Sequence, residues 1–189
     1  IWLKRPAPVM PPASFDSFFR AATGYPPYDY QRRLACGEPP PGAKRDVNMP
    51  DAATQQWLAA GAACRSQLIS IPTGLGKTAA VVLAWLWNVL RQAQNGPAAV
   101  PPPWPRRLVY CLPMRTLVEQ TRDEASKWVA KVLQDADSLQ LSAEARALLE
   151  WLVAHSPVIL MGGEEDDAAR REWDIHSERP AILIGTQDM

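Results

Sequence analysis

The chain has 189 residues, 47% of them hydrophobic and 21% charged, and its 20 Lys+Arg balance 20 Asp+Glu. Such globular usage excludes a disordered or acidic solvating segment, and the neutral balance excludes a strongly basic nucleic-acid coat protein. Proline is the outlier at 19 residues, about twice average usage. A sequence that opens on Ile1 and stops at Met189 reads as a fragment of a longer chain.

Residues 1–50 hold 10 of the prolines and read as an irregular, turn-rich lead-in. One short amphipathic stretch, Ser14–Ala22, interrupts it and carries Phe15, Phe18 and Phe19. Asp51–Cys64 reads as a helix N-capped by Asp51, and Gln67–Ile71 as a short strand ending at Pro72. Thr78–Gln94 is apolar and rich in Ala, Leu and Trp, a buried helix closed by Asn95-Gly96. Pro97–Pro105 is a stiff surface connection, because proline removes a backbone donor and fixes φ.

Leu108–Leu112 is a second strand, followed by a helix from Met114 to Gln134. Leu117, Thr121, Ala125, Trp128 and Val132 recur along it at three- and four-residue spacing. Ser142–Ala154 reads as a helix, Pro157–Met161 and Ala181–Ile184 as strands, and Glu164–Trp173 as a helix whose acids fill its first turn. Continuous apolar strands alternating with helices mark the α/β class, a parallel sheet with helices on both faces.

Cys36, Cys64 and Cys111 form no CxxC, and His155 and His176 stand apart, so zinc, disulfide and histidine-metal chemistry are not expected. Reduced thiols suit a cytoplasmic protein. No signal peptide is visible, and the longest apolar stretch, Ala79–Trp87, is about half of a membrane span. Trp85, Trp87 and Trp128 read as core, whereas Trp104, among prolines, is a candidate exposed anchor as well as a packed one. Glu164–Asp167 reads as a solvated helix start, since four consecutive acids cannot converge on one ion.

The strongest chemical signal is Ser70–Thr78, SIPTGLGKT. Its GxGKT core lies between a predicted strand and a predicted helix, the context a phosphate loop requires. Glycines let backbone N–H groups wrap a phosphate without a Cβ in the way, and the helix N-terminus adds partial positive charge. Thr73, Gly74, Leu75, Gly76, Lys77 and Thr78 are therefore candidate ATP ligands. Lys77 would reach the β/γ-phosphates, and the Thr78 hydroxyl would hold the accompanying Mg²⁺; these two are also the catalytic candidates. Ile71 stands where the strict GxxxxGK[ST] form has glycine.

PTGxGKT resembles the phosphate loop of superfamily 2 helicases, and the likeness continues along the chain. Tyr25–Gln31 (YPPYDYQ) is similar to their upstream glutamine motif. That likeness implies that Gln31 reads the adenine edge, with Tyr28 available to stack on the base. Leu112–Gln120 (LPMRTLVEQ) resembles the first motif that tracks nucleic acid, with Arg115 and Thr116 on a strand phosphate. Gly162-Gly163 and Gly185–Met189 (GTQDM) resemble the next two, adding Gly162, Gly163, Thr186 and Gln187 as candidate nucleic-acid contacts. The phosphate loop and the three nucleic-acid motifs each follow a predicted strand, where ligands of parallel sheets gather.

More narrowly, PTGLGKTAA, LPMRTLVEQ and GTQDM resemble the helicase-nuclease of type I CRISPR systems. That resemblance implies a RecA-like P-loop domain, single-stranded target DNA, and recruitment by a guide-RNA surveillance complex. It divides the chain into a Pro-rich lead-in with the glutamine motif (1–50) and a partial first motor domain (51–189), cut before the DExH/DExD box. It also implies a fragment inactive alone and marginal in stability, because strands that come later in such sheets separate the phosphate-loop strand from the strand before LPMRT. Another superfamily 2 helicase or restriction-type translocase, and a non-catalytic nucleotide-binding remnant, are the competing readings.

The neutral total hides an asymmetry. Residues 1–113 carry 12 positive and 5 negative charges, a net of +7, and residues 114–189 carry 8 and 15, a net of −7. The phosphate loop lies in the positive part.

Overall fold

The computed structural model describes residues 13–41, 51–95, 104–160 and 172–186. In chain order the described elements are α1 (Phe15–Thr23), α2 (Asp29–Cys36), α3 (Ala52–Ala59), α4 (Lys77–Asn95), β1 (Arg107–Leu112), α5 (Arg115–Gln134), α6 (Ala143–His155), β2 (Val158–Leu160), α7 (Glu172–Ile175) and β3 (Ala181–Thr186). The strands form a parallel sheet in the order β1-β3-β2. Arg107 pairs with Ala181 and Leu112 with Thr186, while Val158 pairs with Leu183 and Leu160 with Gly185.

Local sequence explains most of the helix starts. Ser14 and Ser17 form a reciprocal capping box on α1, and Gly24 ends it in the left-handed region at φ 83°. Asp51 accepts the Thr54 N–H at the head of α3, and Ser142 accepts the Ala145 N–H at the head of α6.

α4 is the hub. It is buried continuously from Val82 to Leu90, and it packs between α2 and α6 with α1 alongside. Trp87 meets the rings of Phe15 and Phe18 at 5.9 and 5.3 Å, fixing α1 to α4 through aromatic contact. α5 lies across all three strands, and Ile159, Ile182 and Ile184 join the same core. Val158, Ala181 and Leu183 face the other side of the sheet, where Trp173 of α7 packs on them. Helical cover thus reaches both faces, but unequally among the described residues. No described helix is long and apolar enough to cross a membrane.

Three sequence expectations change. The lead-in is not irregular throughout, because α1 and α2 belong to the main core with Phe15, Phe18, Ala35 and Cys36 buried. Gln67–Ile71 is not a strand: no described strand offers it backbone partners, and Leu68 stands 96% exposed. The helix read over Asp51–Cys64 ends at Ala59. There the Ala60 and Ala62 carbonyls accept the indole N–H groups of Trp87 and Trp104, and the Ala62 N–H donates to Asn88 Oδ1. Side chains of other segments replace the helical bonds. Trp104 is accordingly packed against the core rather than displayed.

On α5 the buried stripe is Val118, Thr121, Ala125, Val129 and Val132. Leu117 faces outward and Trp128 sits at the border of the core. Both sets satisfy the same spacing, so periodicity alone leaves the stripe's edges open. Glu164–Asp167 lie outside the described residues, and α7 shares only Glu172 and Trp173 with the helix expected there.

Candidate nucleotide site and strand-end face

Residues 71–76 pass from extended chain into a turn, and α4 begins at Lys77. Gly74 and Gly76 adopt φ of +84° and +72°, the left-handed region that glycine enters without cost. The Ala80 N–H donates to the Gly76 carbonyl, closing the first turn of α4. Lys77 Nζ donates to the carbonyls of Ile71 at 2.7 Å and Pro72 at 3.1 Å, so its ammonium spans the neck of the loop. Phosphate oxygens would compete well for that donor, because charge-assisted bonds are about twice as strong as bonds to neutral acceptors. Thr78 Oγ1 lies 3.4 Å from the Tyr110 hydroxyl of β1, which ties the first turn of α4 to the sheet.

α2 leans on this loop through two consecutive side chains. The Tyr30 hydroxyl donates to the Leu75 carbonyl at 2.6 Å, and Gln31 Nε2 donates to the Gly76 carbonyl at 3.0 Å. Gln31 Oε1 accepts the Tyr28 N–H at 2.8 Å, and the side chain is buried. In this arrangement Gln31 is engaged by the chain itself: its oxygen caps α2 and its nitrogen holds the phosphate loop, leaving one acceptor site and one N–H of the amide for a base edge.

Tyr28, the residue expected to stack on the base, stands at the N-cap of α2. It is about half exposed and lies parallel to Tyr30, with ring centroids 6.2 Å apart and planes 14° from parallel. A cavity of about 480 Å³ opens between these tyrosines and Ile71, Pro72 and Leu75. It places an apolar, aromatic wall beside the glycine loop, as a nucleoside attached to the bound phosphates requires. The residues present thus fit ATP: backbone and Lys77 for phosphates, Thr78 for Mg²⁺, Tyr28 for the base. Burial raises the Tyr30 phenol above its ordinary pKa, so it stays a donor throughout the neutral range.

α2 is itself held by Arg32. Its guanidinium makes a two-pronged pair with Asp16 of α1, Nε to Oδ1 at 2.7 Å and Nη2 to Oδ2 at 3.0 Å, and Nη1 donates to Asp29. Burial works against its charge, but Asp16 and Asp29 outweigh burial and hold its pKa above the ordinary arginine value. Sequence reasoning missed Tyr30, Arg32 and Asp16. YDYQ offered an aromatic signal for Tyr30, whereas an Asp and an Arg 16 positions apart on two helices carry no sequence signature.

At the carboxyl ends of the strands, Leu112 and Thr186 are register partners, so the segment leading to Arg115 and Thr116 begins beside Thr186. Arg115 and Thr116 are exposed at the start of α5, whose N-cap residue Met114 provides no side-chain hydrogen bond. The sheet register therefore brings Arg115, Thr116 and Thr186 to one edge. Gly162, Gly163 and Gln187 lie outside the described residues. Among the described residues no group of His, Cys, Asp and Glu is arranged to hold a metal ion. All three cysteines are free, with Cys36 buried.

The family model described as DEAD/DEAH box helicase matches residues 52–189, which includes the phosphate loop and the strand-end segments. Comparison with curated proteins and with solved structures gives no match.

Proposed function

The chain belongs to the DEAD/DEAH box helicase family, and from that premise we propose that it is the ATP-binding part of the first motor domain of a type I CRISPR helicase-nuclease. Members of the family are ATP-dependent helicases that work with a divalent metal. The observation that carries the nucleotide reading is the loop itself. Two left-handed glycines precede a lysine whose ammonium crosses the loop, and an aromatic cavity opens on the adjoining side.

Lys77 and the N–H groups of residues 74–78 bind the phosphates, and Thr78 would supply a hydroxyl to Mg²⁺, which would offset phosphate charge. Tyr28 covers the base from the α2 side. Single-stranded target DNA runs across the strand ends, contacting Arg115, Thr116 and Thr186 and continuing past Gly162, Gly163 and Gln187. Nucleotide-dependent movement of this domain against a second one draws the strand along.

The finer assignment rests on the wording of PTGLGKTAA, LPMRTLVEQ and GTQDM, and on nothing the fold alone distinguishes. It implies cytoplasmic action and a guide-RNA surveillance complex as partner.

Titration with ADP and Mg²⁺ tests the nucleotide reading. Lys77→Ala should weaken binding about 10- to 100-fold, the equivalent of losing a charge-assisted bond of about 1.5–3 kcal/mol. Equal affinity in the two proteins would sink it. Retention on an immobilised surveillance complex loaded with target DNA, and not on the unloaded complex, tests the partner. Indifference to target loading favours a general superfamily 2 motor.

A further inference from the structure

We propose that the Asp16–Arg32 ion pair is a positioning device for the nucleotide site, acting through the grip of Tyr30 on the phosphate loop. The inference rests on the nucleotide reading above and adds Asp16 and Arg32 to it. Four contacts close a ring. Trp87 of α4 holds Phe15 and Phe18 of α1, and Asp16 of α1 holds Arg32 of α2. Tyr30 and Gln31 of α2 hold the carbonyls of Leu75 and Gly76, and those residues lead directly back into α4.

The apolar packing of α2 rests on Ala35 and Cys36, with Leu34 half-buried beside them, and these small buried groups alone set its angle loosely. Its buried residues are Gln31, Arg32, Ala35 and Cys36, so half of the inward face is polar and small residues make up the rest. A helix held this way is oriented by hydrogen-bond geometry, and the guanidinium fork supplies two parallel bonds that a lysine cannot reproduce. A buried ion pair is a poor source of net stability, since desolvation offsets its attraction, but it admits few geometries. Rotation of α2 by even part of a turn would lift Tyr30 from Leu75 and release the loop.

The experiment is a double-mutant cycle in the whole chain, read as ADP affinity, with Tyr30→Phe, Arg32→Lys and the double variant. Thermal melting follows in parallel. Each single substitution should weaken ADP about five- to ten-fold, and the double should be no more than about two-fold weaker than the worse single, because both remove one coupled contact. Multiplicative losses, or losses below about two-fold, overturn the proposal, as does a lowered Tm with unchanged ADP affinity. If Arg32→Lys does not fold, Asp16→Asn replaces it. That change removes the charge facing the guanidinium and one arm of the two-pronged pair, so the expected loss is about five-fold, again non-additive with Tyr30→Phe. Unchanged affinity there also overturns the proposal. Lys77→Ala separates the two failures: if it too leaves ADP binding unaltered, the nucleotide reading falls and takes this inference with it.

Discussion

Gly74 and Gly76 do different work two residues apart. Both hold left-handed φ, where an L side chain costs about 1–2 kcal/mol. At Gly74 an added Cβ meets open space, so Gly74→Ala should cost that strain and little else. At Gly76 the Cβ would lie 3.0 Å from Gln31 Nε2, the atom that bonds the Gly76 carbonyl. Gly76→Ala should therefore push the amide back by a few tenths of an ångström and weaken that bond on top of the same strain, for a total of about 2–3 kcal/mol, and weaken ADP in addition. Urea denaturation of the two variants checks the order. Equal destabilisation would show that Gln31 does not constrain the loop. Both glycines were legible from GxGKT, whereas the reason the second one is stricter required the position of α2.

Asn88 shows what a helix can hide in plain sight. It is the one polar residue in the apolar run from Ala79 to Leu90, and it is 2% exposed. Its oxygen accepts the Ala62 N–H at 2.9 Å, and its nitrogen donates to the carbonyls of Ala35 at 2.9 Å and Ala84 at 2.8 Å. It thereby joins α4 to the end of α2 and to the segment entering the phosphate loop. Asn88→Ala strands the Ala62 donor and the Ala35 acceptor, at about 1–3 kcal/mol each, and should destabilise by about 2–4 kcal/mol. A midpoint shift in urea below about 1 kcal/mol would contradict that account. The helices α4, α5 and α6 were readable because their buried stripes are apolar, while α2 escaped because its buried positions include Gln31 and Arg32. Hydrophobic periodicity inverts when a helix is seated by polar contacts. Gln67–Ile71 failed in the opposite direction: its residues suit a strand, but strands exist only in pairs, and pairing is not written locally.

The three functional elements meet at one side of the molecule. Lys77 and Thr78 begin α4, Tyr110 carries Thr78 to the sheet, and the register of β1 with β3 sets Thr186 beside the approach to Arg115. Among the described residues no group of His, Cys, Asp and Glu is arranged to hold the metal. The chain contains no D-E-x-[HD] string; its one Asp-Glu pair, Asp123-Glu124, is followed by Ala125 and Ser126. Those acids lie on the exposed side of α5, where Arg122 and Lys127 pair with them. Thr78 and Tyr110 bring hydroxyls to the start of α4, not a carboxylate. The 189 residues should therefore bind ADP and ATP with Mg²⁺ while releasing phosphate at the buffer rate, with or without single-stranded DNA. Steady-state phosphate release measured at saturating ATP decides it. Turnover that DNA stimulates and Lys77→Ala abolishes would mean that a carboxylate elsewhere in the chain reaches the site, and the separation of binding from hydrolysis would have to be abandoned.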